Sequence, residues 1–67
     1  MAPVSVSSSA ISQVDYDPRT AVLRVWFTSG KVYDYFGVPA ALFEGLVNAP
    51  SVGRFFNDHI RDQFSAA

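Results

Sequence analysis

At 67 residues, 49% of them hydrophobic and 16% charged, the chain has the make-up of one small domain near the lower limit for a self-supporting apolar core. Five basic and six acidic residues leave a net charge of −1, which weighs against a dedicated nucleic-acid binder unless the few cations cluster. The absence of cysteine excludes a disulfide framework, a thiolate metal site and a thiol nucleophile, and no signal peptide or transmembrane run is read, so a cytoplasmic protein is expected.

Residues 1–6, Ser-containing with Pro3, read as a disordered tail ahead of a single domain over 7–67. Ile11 to Tyr16 reads as a first strand. The residues of a turn follow in Asp17-Pro18-Arg19-Thr20, where Pro18 presets φ and Asp17 can accept a bond from the backbone ahead of it. Val22 to Phe27 is the clearest strand, with Leu23, Val25 and Phe27 alternating against Arg24 and Trp26. Lys31 to Phe36 is a third.

The turn between the second and third strands decides what the tyrosines do. A two-residue Ser29-Gly30 loop would oppose Val25 to Asp34 and bring a carboxylate onto the face of Leu23 and Phe27. A three-residue Thr28-Ser29-Gly30 loop, with Gly30 left-handed as a bulge, opposes Val25 to Tyr33, Leu23 to Tyr35 and Arg24 to Asp34. The second register is expected. It turns Tyr33 and Tyr35 inward, with both rings largely buried, and leaves Ile11, Trp26, Val32 and Phe36 as an apolar patch on the outer face.

Pro39 suits a first-turn position for a helix whose Leu42, Phe43, Leu46 and Val47 form one apolar stripe, and Gly45 weakens it by roughly 1 kcal/mol or permits a close neighbour. Ala49-Pro50 breaks the chain. Ser51 caps a second helix with Val52, Phe55, Phe56, His59 and Ile60 on one side and Arg54, Asn57, Asp58 and Arg61 on the other. The expected fold is α+β, a three-stranded antiparallel meander followed by two helices packed on one sheet face.

Taken together, Ser8/Ser9-x-Ile11, Tyr16-Asp17, Leu23-x-Val25-x-Phe27, Gly30, Tyr33-x-Tyr35, Gly37-Val38-Pro39, Ala49-Pro50-Ser51-x-Gly53 and Phe56-Asn57-x-x-Ile60-Arg61 resemble the KTSC domain. That module ends some lysyl-tRNA synthetases and also occurs as a free-standing bacterial protein. The resemblance runs from Val6 to Phe64 and assigns the family's central Tyr-x-Tyr to Tyr33 and Tyr35. Ala21 stands where the family often has Gly, and Phe64 where a Tyr is common. Its synthetase setting implies contact with RNA.

Three groups of residues are candidates. The start of the second helix offers free N–H groups after Ser51, close approach at Gly53 and the cation of Arg54, with Asn57 and Arg61 along the same face, as a phosphate contact requires. The competing reading is a plain cap, with Arg54 paired to Asp58. The outer-face patch around Trp26 is the surface for a protein partner or weak self-association. Tyr33 and Tyr35 are expected in the core, although on a bare sheet they would stack bases. His59 is read as packed rather than metal-binding, no cofactor is expected, and the absence of any nucleophile–base or spaced carboxylate pair argues against an enzyme. The function expected is a small accessory binding module with weak RNA contact, or alternatively a protein-interaction module.

Overall fold

A computed structural model describes residues 3–67. The expected tail begins with residues 1 and 2, which lie outside the described residues. An antiparallel sheet of four strands, in chain order, carries β1 (Val4–Ser5), β2 (Ile11–Asp17), β3 (Val22–Phe27) and β4 (Val32–Tyr35). Two helices follow, α1 (Ala40–Asn48) and α2 (Val52–His59). The three-stranded expectation is thereby corrected, because Val4 and Ser5 pair with Val14 and Gln13 along the free edge of β2. The pairing is short, backbone-driven and exposed, so no apolar alternation announced it.

The β3–β4 hairpin takes the three-residue loop. Phe27 N–H donates to Lys31 O at 2.8 Å, Gly30 N–H donates to Phe27 O at 3.0 Å, and Gly30 adopts φ 97°. Val25 therefore opposes Tyr33, Leu23 opposes Tyr35 and Arg24 opposes Asp34. Arg24 donates to both carboxylate oxygens of Asp34, at 2.8 and 3.1 Å, which holds that carboxyl below its ordinary range.

One outer-face residue is corrected. Ile11 is fully buried and opposes Phe27, because the pairing shifts between Ile11 and Gln13. That bulge inserts Ser12 as an extra residue and turns Ile11 onto the same face as Val14 and Tyr16.

Helices α1 and α2 cover this face. Leu46 of α1 and Val52 and Phe56 of α2 are buried, with Ile60 just past the end of α2. Pro39 is the cap residue of α1 rather than a member of its first turn, and accepts from Leu42 N–H at 3.0 Å. Gly45 makes the helix–helix contact possible, since a Cβ there would lie 2.8 Å from the Phe55 ring. Tyr16 stacks on Phe43 at 5.1 Å and donates its buried hydroxyl to Val38 O at 2.6 Å, tying β2 to the segment that enters α1. Residues 65–67 then return along β4, where Asp34 and Ala67 exchange backbone bonds at 2.9 and 3.0 Å.

Ala21 closes the β2–β3 turn at φ 58°, a left-handed conformation that costs an L-residue about 1 kcal/mol relative to glycine. Ala21→Gly should therefore raise the unfolding free energy by about 0.5–1 kcal/mol in a urea titration. A loss of stability would mean that the Ala21 methyl has packing that outweighs its backbone strain.

Candidate ligand groove

The candidate residues at the start of α2 do not form one site. Ser51 Oγ accepts from Arg54 N–H at 3.4 Å, a long capping bond. The loop before β2 lies against this first turn, because a Cβ on Gly53 would sit 3.3 Å from Ser8 Oγ. Arg54 lies 3.8 Å from Asp58, one turn along the helix. The competing reading of a cap, a close approach and an ion pair accounts for Ser51, Gly53 and Arg54. Asn57 Oδ1 accepts from Arg61 at 3.1 Å.

Arg61 belongs elsewhere. It lies past the end of α2, where its N–H bonds Phe56 O, and it lines a groove of about 510 Å³ between the β3–β4 hairpin and the C-terminal segment. Phe27, Tyr33, Tyr35, Phe56 and Phe64 supply aromatic walls, with Ser29, Lys31, Arg61, Asp62 and Ala66 completing the lining. The aromatic walls hold one another by edge contacts. Phe56 meets Tyr35 at 5.3 Å and Phe27 at 5.5 Å, and Phe27 meets Tyr33 at 5.6 Å.

The two tyrosines of the central motif differ in burial. Tyr35 is 7% exposed and in the core, as the register requires, whereas Tyr33 is 37% exposed. The inward direction expected for Tyr33 holds, but its expected burial is corrected. Tyr33 stands one inward position nearer the hairpin turn, where Phe27 is its ring contact and no ring of α1 or α2 packs on it among the described residues.

Charge is distributed unevenly around this groove. Arg19 pairs with Asp17, Arg24 with Asp34 and Arg54 with Asp58. Among the described residues, Lys31 and Arg61 are the basic side chains with no carboxylate within ion-pair distance, and both line the groove. Lys31, Phe27 and Phe64 were not among the candidates from sequence. The available signal was Lys31 directly after the loop glycine, one alternation from Tyr33.

The outer sheet face keeps Trp26 half-buried, opposite Val32, with the Arg24 guanidinium 5.9 Å from its ring centre. Val32 and Phe36 are 45% and 44% exposed. His59 packs its ring 4.5 Å from that of Phe55, on the side expected, but is exposed.

Tyr35 provides a pH signature. Burial is the main cause that raises its phenol above the ordinary value of 10.0; Tyr33 and Asp62 add to the rise and Arg61 opposes it. The neutral phenol therefore contributes stability that is present below that value and is lost as pH rises through the higher folded one. Urea unfolding between pH 9 and about 11.5 should show wild type losing stability with pH more steeply than Tyr35→Phe. Parallel profiles would contradict it.

Comparison with known proteins gives a consistent picture. The KTSC domain model matches residues 7–64. The chain is 46% identical over 56 residues to a lysine–tRNA ligase of Nostoc punctiforme, covering 84% of this chain and 10% of the ligase. It thus spans about a tenth of that relative's length. A Tsukamurella paurometabola protein of similar size is 43% identical over 61 residues, 91% of each chain. The crystal structure of a KTSC domain protein from Yersinia pestis superposes with a TM-score of 0.95 at 35% identity, covering 98% of this chain and 93% of that one.

Proposed function

The chain belongs to the KTSC domain family, and on that premise we propose that it is a small non-enzymatic accessory module that makes weak contact with RNA. The observation that carries this reading is that Lys31 and Arg61, the cations that no carboxylate offsets among the described residues, both line a groove that also presents Tyr33. Single-stranded RNA is held by this combination, with cations on phosphates and an aromatic face under a base. The net charge of −1 does not oppose it, since three of the five basic residues are already matched by carboxylates. The likeness to a segment of a lysine–tRNA ligase adds support, because weak contact is useful when a module is tethered to another RNA-binding surface.

The start of α2 lies outside this groove and is at most a separate, secondary contact, as Asp58 offsets Arg54. With two principal cations, the logarithm of affinity for tRNA should fall with the logarithm of salt at a slope of about −1.5. Fluorescence anisotropy at low salt should detect binding in wild type and its loss in Lys31→Ala/Arg61→Ala. Binding that is absent at low salt, or unchanged in the double variant, would remove the reading.

The exposed Val32 and Phe36 beside Trp26 favour a second reading, a protein-interaction or self-association surface on the outer sheet face. Trp26→Ser should then keep the fold and lower the dimer fraction in sedimentation velocity. A wild-type mass constant across the concentration series would rule out self-association.

A further inference from the structure

We infer that the groove between the β3–β4 hairpin and the C-terminal segment is a binding site for one unstacked nucleotide, with the Tyr35 hydroxyl reading the edge of its base. This rests on the RNA reading only for the source of the nucleotide. The starting observation is a contrast between two buried tyrosines. Tyr16, 5% exposed, donates its hydroxyl to Val38 O at 2.6 Å. Tyr35, 7% exposed, lines the groove, and its hydroxyl makes no hydrogen bond to any described residue. No buried side-chain polar atom among the described residues lacks a partner, so the Tyr35 hydroxyl is the part of this otherwise buried residue that is open to the groove, where a ligand's donor or acceptor can reach it.

The surrounding chemistry identifies the ligand class. Tyr33 is partly exposed to a planar partner, Phe27 and Phe64 provide apolar walls, and Lys31 and Arg61 supply positive charge that no carboxylate offsets, with Asn57 holding one Arg61 nitrogen. Asp62 adds an acceptor for an exocyclic amine. The groove volume of about 510 Å³ lies within the range of small-ligand pockets. An apolar peptide side chain would use the walls but leave the phenol and both cations without partners. A free phosphate would use the cations and leave the aromatic walls unused. A nucleotide engages all three features.

The test is a titration of the isotopically labelled domain with each of the four nucleoside 5′-monophosphates, with ribose 5-phosphate and with inorganic phosphate, followed through backbone amide shifts. The nucleotides should move the Lys31, Tyr33, Tyr35 and Arg61 amides and should differ among themselves in affinity. Ribose 5-phosphate and phosphate should have weaker effects. Tyr33→Ala, at an exposed position, should weaken all four nucleotides. Tyr35→Phe keeps the core ring and should reduce the spread of affinities by about fivefold, the effect of one lost hydrogen bond. Phosphate acting as strongly as nucleotide, or a base preference unaltered in Tyr35→Phe, would overturn the inference. So would tRNA binding without any nucleotide-induced shift in the groove, an outcome that leaves the RNA reading intact. Nucleotide binding without tRNA binding would instead retain the site and assign it to free nucleotides.

Discussion

The three-residue turn at Thr28-Ser29-Gly30 is the constraint on which the rest of the molecule depends. With Gly30 at φ 97°, the hairpin closes so that Leu23 and Val25 face Tyr35 and Tyr33 across the inner side, and Arg24 meets Asp34 across the outer one. A slip of one residue would exchange the two faces of β4, carrying Asp34 into the apolar layer and both tyrosines out of it. The bidentate Arg24–Asp34 contact reinforces the choice from the outer side. The groove follows from the same turn, because Lys31 leaves the loop directly beside Tyr33 and both flank Phe27.

A chain this short reaches a sufficient core by spending little of its sheet on solvent-facing edges. Val4–Ser5 lies along β2 and residues 65–67 lie along β4, so each outer strand of the main meander has a backbone partner. The bulge in β2 recruits Ile11 to the inner layer, and Gly45 lets the Phe55 ring approach α1 closely. The C-terminal return also has a second consequence. In pairing with β4 it brings Phe64 and Ala66 to the open side of Tyr33 and Tyr35, which converts an exposed hairpin face into a walled groove.

Net charge is a poor guide to the electrostatics of such a surface. Three cations are held by carboxylates of their own neighbourhood, at 2.8 to 3.8 Å, and the two that remain lie around one groove. What a ligand meets is this local arrangement, not the chain average, and at short range the nearby side chains dominate.

Local patterning determined much of the fold. Strand alternation in Val22–Phe27, the loop glycine, the cap at Ser51 and the apolar stripes of both helices are short-range features, each decided by neighbours within a few residues. They suffice for the order of elements, the β3–β4 register and the burial of Tyr35. The fourth strand, the inward turn of Ile11 and the partial exposure of Tyr33 were decided by tertiary structure, because each depends on what an element lies against rather than on its own sequence. The same holds for the candidate site. Arg54 and Arg61 share a helix-spaced pattern in sequence, yet an ion pair retains the first while the second, past the end of α2, lines the same groove as Lys31, thirty residues earlier in the chain. Spacing along a helix can say which side chains share a face, but only packing decides which distant side chains face the same ligand.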